Sequence, residues 1–166
     1  GALMDGTILS LAVAVGRALV DRGAMCATAE SCTGGLVAGA ITDIPGSSAW
    51  FDRGFVTYTN DAKTEMLDVP AAVLAVHGAV SEATARAMVA GALTHSAATY
   101  AVAITGVAGP GGGSPDKPMG LVCFAWAQRG GHVETAAHRF PGDRADVRRA
   151  SVVTALAGLH ALVCAR

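Results

Sequence analysis

The stretch "TYAVAITG", residues 99 to 106, sets the tightest limit on what this chain can fold into. Its apolar content is continuous, without the polar alternation of a half-solvated strand, so it reads as a buried strand. A strand of that kind needs cover on both faces, and the flanking segments supply helices. Ile8, Leu11, Ala12, Val15 and Leu19 recur at helical spacing, which predicts a helix over residues 7–21, stopped by Gly23. A strand over 24–29 and a helix over 33–42 follow, ended by "DIPGSS". "WFDRGFVTYTN" is rich in aromatic and β-branched residues and reads as a strand ending at Asn60. "DAKTEML" and "PAAVLAVHG" read as short helices, and Ser81 caps a longer one to about residue 96. Beyond the Gly/Pro loop "VAGPGGGSPDKP", the segments "MGLVCFAWAQ" and "HVETAAHRF" read as two strands joined by "RGG", an antiparallel hairpin. Asp143 caps a last helix to about Cys164. The order predicts an α/β fold: one three-layer domain over residues 1–166, with a mixed parallel/antiparallel sheet covered by helices.

Composition narrows the partners. With 12 basic and 13 acidic residues the net charge is −1, so neither a nucleic-acid nor an anionic-membrane surface is expected. The apolar run 150–165 carries Ser151, Thr154 and His160 and is shorter than the roughly 20 residues of a membrane span. The N-terminal apolar segment has no basic region before it and makes a poor secretory signal. Cys26, Cys32, Cys123 and Cys164 form no C-x-x-C pair, and three of them lie in apolar segments. Buried, reduced thiols and a cytoplasmic location are expected. The five histidines show no metal-ligand spacing, so no metal is expected.

Four places carry residues suited to chemistry. In "TAESCTGG" a strand runs into a helix start, where free N–H groups, Gly34 and Gly35 suit an anion or a developing oxyanion, with Ser31 or Cys32 as candidate nucleophile. Cys32 is expected to turn to the core. The plainer reading makes Ser31 or Thr33 a helix cap. In "YTNDAK", Tyr58 and Lys63 meet at a strand end, and a buried Lys can act as a base; a solvated Lys is the plainer reading. "ITGVAGPGGGSPDKPMG" fits neither a Walker loop nor a dinucleotide fingerprint, yet a ligand loop after a buried strand suits it. In "GDRADVRR", Arg144 and Arg148 share a helix face, suited to a phosphate or to pairing with Asp143 or Asp146.

Taken in order, "TAESCTGG", "FDRGFVTYTNDAK", "HGAVSEATARAM", "AITGVAGPGGGSPDKPMGLV" and "FPGDRADVRRASVVTAL" resemble the C-terminal domain family of the competence/damage-inducible protein CinA, over about residues 7–164. The stand-alone members of that family are nicotinamide-nucleotide amidohydrolases. The resemblance implies hydrolysis of nicotinamide mononucleotide to nicotinic acid mononucleotide and ammonia, in pyridine nucleotide salvage, with no cofactor. It implies Ser31 as nucleophile, Lys63 and Tyr58 as acid/base partners, and Arg144 at the phosphate. Glu30, Thr33, Gly34, Gly35, Asn60, Thr105, Gly106 and Gly109 are expected around the small-molecule nucleotide. Many relatives carry a further N-terminal domain, linked to ADP-ribose pyrophosphatase activity, which is absent from this sequence. Two other functions stay open on the sequence: a catalytically silent nucleotide-binding module, and an amidohydrolase for another nucleotide amide. Self-association as a homo-oligomer stays open too.

Overall fold

The structure, a computed structural model, describes residues 5–165; Gly1 to Met4 and Arg166 lie outside the described residues. In chain order the elements are α1 (Gly6–Arg22), β1 (Cys26–Glu30), α2 (Leu36–Thr42), β2 (Phe51–Val56), α3 (Asn60–Leu67), α4 (Ala71–His77), α5 (Glu82–Thr94), β3 (Tyr100–Gly106), β4 (Leu121–Gln128), β5 (Val133–Arg139) and α6 (Arg144–Cys164). A short 3-10 turn, Ser47–Ala49, precedes β2. The expected order of elements is therefore observed. Caps set several boundaries. The Asp5 side chain accepts from Ile8 N, Ser81 from Thr84 N, and Asp143 from Asp146 N. Two boundaries differ from expectation by more than two residues. The second strand ends at Val56 and not at Asn60, because Thr59 turns its side chain to cap α3 from Ala62 N. The second helix starts at Leu36 and not at Thr33, for a reason that belongs to the site below.

The sheet has the order β2-β1-β3-β4-β5. Strand β1 runs parallel to both β2 and β3, while β4 is antiparallel to β3 and β5. The two faces differ in side-chain size. Tyr100, Val102, Ile104, Val122, Phe124 and Trp126 pack toward α1, α2 and α6. The alternate positions Ala101, Ala103, Cys123, Ala125 and Ala127 pack toward α5. Small residues let α5 sit close, and Gly91 in that helix lies directly on the Leu67 carbonyl. On the other side, Gly16 of α1 packs on Trp50, where a Cβ would stand 2.7 Å from the indole. Gly158 of α6 packs likewise on Trp126, whose Nε1 donates to Ala155 O at 3.0 Å.

At 21 residues α6 is long and apolar enough to cross a membrane, which the run 150–165 alone is not. Here it is a core helix, packed on α1, β3 and β4, with Val147, Leu156 and Leu159 fully buried.

Gly91→Ala is expected to destabilise the fold by about 1–3 kcal/mol, because the new methyl overlaps backbone that cannot swing aside. Gly39→Ala, at an exposed position of α2 with nothing within 4 Å of the new Cβ, is expected to stabilise by roughly 0.5–1 kcal/mol. Denaturant melts of the two variants check both signs.

Candidate active site

Strands β1, β2 and β3 are parallel neighbours, so their C-terminal ends meet at one edge of the sheet. Open α/β sheets hold ligands at such an edge. The register pairs Glu30 with Val56 and with Ile104. Ser31 N donates to Ile104 O at 3.0 Å, and Thr57 N donates to Glu30 O at 2.9 Å. Ser31 and Tyr58, just past β1 and β2, and Thr105–Gly106, the last residues of β3, are thereby gathered round a cavity of about 220 Å³. Cys32, Lys63, Ala79, Val80, Ala108 and Arg144 complete its lining.

Lys63 reaches this cavity from the first turn of α3. Its side chain is 1% exposed, where the sequence alone left room for a solvated Lys. Lys63 Nζ donates to Ser31 Oγ at 3.0 Å, to Thr57 O at 3.0 Å and to Tyr58 O at 3.1 Å. All these partners are neutral. Burial lowers the Lys63 pKa below the ordinary 10.5, against a smaller opposing effect from Cys32. An amine held beside a hydroxyl and pushed toward its neutral form is a base in contact with a nucleophile. Cys32 is the weaker candidate for attack: burial pushes its thiol up to about 12.

The turn after β1 holds an anion, but the anion is the protein's own. Glu30 is fully buried, and its carboxylate accepts from Thr33 Oγ1 at 2.6 Å, Val37 N at 2.9 Å and Ala38 N at 3.1 Å. It fills the N-terminus of α2, so neither Ser31 nor Thr33 caps that helix. The Glu30 and Thr33 side chains, expected at the substrate, are thus paired with each other and with the start of α2. The turn leaves different donors. Ser31 O accepts from Gly34 N at 3.0 Å, and Cys32 O accepts from Arg148 Nε at 3.1 Å. Both peptide planes are fixed, and the N–H groups of Cys32 and Thr33 donate to no backbone acceptor among the described residues. Arg148, expected as a possible phosphate ligand, braces this turn.

Arg144 stands at the rim. It donates through Nη1 to Gly109 O at 2.7 Å and through Nη2 to the Tyr58 hydroxyl at 3.3 Å. The Tyr58 phenol is therefore turned to Arg144 and not to Lys63; Tyr58 meets Lys63 through its backbone carbonyl. Its side chain lies at the mouth, with the residue 60% exposed. Asp143 and Asp146 close the start of α6 with a capping box, so the guanidinium, rather than the helix N–H groups, is what α6 offers a ligand. Arg144 also borders a broader depression of about 650 Å³ that includes Pro110, Met119 and Gly142.

The CinA C-terminal domain model matches residues 8–163. The chain belongs to the CinA C-terminal domain family. Its relatives include the nicotinamide-nucleotide amidohydrolase PncC of Escherichia coli strain K12, 53% identical over 154 residues and 93% of each chain. The protein of the same name from Pseudomonas putida is 51% identical over 152 residues, which is 92% of this chain and 94% of that one. A crystal structure of the competence/damage inducible protein CihA from Agrobacterium tumefaciens is 52% identical, covers 96% of this chain and 97% of that chain, and superposes with a TM-score of 0.94.

Within this family frame, the structure brings together six of the residues that the resemblance places at the site: Ser31, Lys63, Tyr58, Thr105, Gly106 and Arg144. It leaves six outside the cavity lining. Glu30 and Thr33 anchor α2. Gly34 and Gly35 take left-handed turn conformations at φ 56° and 101°. Asn60 is exposed on the first turn of α3. Gly109 touches the site only through the carbonyl that accepts from Arg144. Ala79 and Val80 were missed, although "HGAVSEAT" is one of the segments that carry the resemblance. Their wall is held by side chains: Thr105 Oγ1 donates to Ala79 O at 2.7 Å, and Lys117 Nζ donates to His77 O at 2.7 Å and to Val80 O.

Proposed function

We propose that this chain is a nicotinamide-nucleotide amidohydrolase, hydrolysing nicotinamide mononucleotide to nicotinic acid mononucleotide and ammonia. The observation that carries this reading is the buried Ser31–Lys63 contact of 3.0 Å on the floor of a ring-sized cavity with Arg144 at its rim. About 220 Å³ falls below the roughly 300–1,000 Å³ of pockets that enclose whole drug-sized ligands. It suits the pyridine carboxamide, with the sugar phosphate lying over Arg144 toward the broader depression. The names of the PncC relatives agree with this substrate.

In the reaction we propose, Ser31 Oγ attacks the carboxamide carbon while neutral Lys63 takes the serine proton. The N–H of Cys32 and that of Thr33, in their fixed peptide planes, are the candidate donors to the tetrahedral oxyanion. The C–N bond breaks as Lys63 returns its proton to the nitrogen, and ammonia leaves an acyl ester on Ser31. Water then attacks the ester with Lys63 again as base, and the C–O bond breaks to restore the Ser31 hydroxyl. Tyr58 orients Arg144 over the substrate rather than exchanging protons with Lys63, since its hydroxyl meets the guanidinium. Cys26, Cys32 and Cys123 are buried free thiols, in keeping with work in the reducing cytoplasm.

Arg144→Ala is expected to lower kcat/KM for the nucleotide by about ten- to a hundredfold, the loss of one charge-assisted contact of roughly 1.5–3 kcal/mol. Nicotinamide riboside, which has no phosphate, should lose much less. An equal loss on both substrates would place the phosphate elsewhere. Ammonia release from nicotinamide mononucleotide, with free nicotinamide as control, tests the activity itself.

A further inference from the structure

Two basic side chains border the reaction cavity, and no carboxylate among the described residues pairs with either. Lys63 Nζ meets Ser31 Oγ and the carbonyls of Thr57 and Tyr58. Arg144 meets the Gly109 carbonyl and the Tyr58 hydroxyl. Among the described residues, no Asp or Glu lines the cavity. Glu30 lies close in sequence, but its carboxylate is taken up by Thr33, Val37 and Ala38. Charging the buried Lys63 amine among neutral partners alone is costly, and an entering anion relieves that cost.

The reaction makes such an anion in place. The substrate presents a neutral carboxamide at Ser31; the product formed there is a carboxylic acid. That acid hands its proton to the Lys63 amine beside it, leaving a carboxylate against an ammonium, with no further reactant needed. Resting on the amidohydrolase reading, we propose that this cavity is a carboxylate site that holds the carboxylate nucleotide product more tightly than the carboxamide substrate, so that product restrains the enzyme from its own active site.

When the carboxylate nucleotide binds from solution to the neutral-amine form, a proton must come with it. Lys63 is its destination. Around Lys63, Cys32 is held protonated by burial, with a pKa pushed up to about 12. The Tyr58 phenol faces Arg144. Arg148 is engaged by the Cys32 and Thr33 carbonyls, Lys117 by those of His77 and Val80, and Glu82 at the start of α5 by the Thr135 hydroxyl.

The test compares two ligands that share sugar and phosphate and differ only at the reacting group. Calorimetry on the Ser31→Ala protein should show nicotinic acid mononucleotide binding at least about tenfold more tightly than nicotinamide mononucleotide, one charge-assisted contact's difference. The heat should vary with the ionisation enthalpy of the buffer, as proton uptake requires. Adding Lys63→Met should erase both the preference and the uptake. Independently of how those variants fold, the wild-type enzyme should be inhibited competitively by the carboxylate nucleotide, with an inhibition constant at least about tenfold below KM. Equal or weaker inhibition, with the carboxamide nucleotide still hydrolysed, overturns the inference and leaves the amidohydrolase reading standing. No ammonia from that nucleotide with folded wild-type protein overturns both.

Discussion

Ser31→Ala will cut ammonia release from nicotinamide mononucleotide by at least about a thousandfold while leaving the nucleotide bound. Removing a nucleophile takes away the covalent route, and what survives is the help of binding and oxyanion donors; losses in comparable enzymes reach about a millionfold. Binding should persist because the Ser31 hydroxyl is a small part of the cavity, and its backbone N–H still pairs with Ile104 O. Cys32→Ala is the informative neighbour. Its thiol is 5% exposed and held protonated, so the variant should keep most of its turnover. Single-turnover assays on both proteins, with circular dichroism to confirm folding, decide the matter. Retained turnover in Ser31→Ala, with loss in a folded Cys32→Ala, would move the nucleophile by one residue.

The second large effect belongs to Lys63. Lys63→Met keeps the aliphatic stem and removes the base, and general base catalysis is worth about a hundred- to ten-thousandfold. Lys63→Arg should fail to rescue, because a guanidinium stays protonated and cannot take the serine proton. The wild-type kcat/KM should climb with pH along a limb that lies below 10.5, since burial lowers this pKa and the neutral amine is the active form. Stability carries the same signature. Between the lowered folded value and 10.5, the unfolded chain holds a proton that the folded chain has released, so stability from this group rises with pH across that window. Denaturant melts at stepped pH should show the rise in wild type and its loss in Lys63→Met. A flat rate profile over the same range would assign the proton transfer to another group.

Apolar spacing is a local property, and the elements it predicts are observed. The alternation of Tyr100, Val102 and Ile104 with Ala101 and Ala103 needed nothing beyond its own segment to signal a strand covered on both faces. The Ser31–Lys63 meeting was legible through the motifs as a pair of residues, but its 3.0 Å contact comes from strand register, since β1 and β2 bring residues 31 and 57 to one sheet edge. The direction a side chain takes was not legible. A carboxylate next to a helix start serves a ligand or the helix itself with equal ease, and Glu30 serves the helix because β1 ends directly beneath α2. Tyr58 reads as a partner for Lys63 at five residues' separation. Its ring turns instead to Arg144, which lies 86 residues away and belongs to the last helix. Arg148 looks like a twin of Arg144 on the helix face, yet one turn of α6 carries it from the rim to the carbonyls of Cys32 and Thr33.

Trp50 and Trp126 are the only indoles in the chain, and each packs against a helical glycine, Gly16 of α1 and Gly158 of α6. Both rings are buried, and neither lines the cavity at Ser31. The intrinsic fluorescence of this protein is therefore a pair of proximity gauges for α1 and α6. With one indole replaced by Phe at a time, the emission left in each variant times the docking of a single helix during refolding, α1 from Trp50 and α6 from Trp126. Substrate or product entering the cavity should leave both signals almost unchanged.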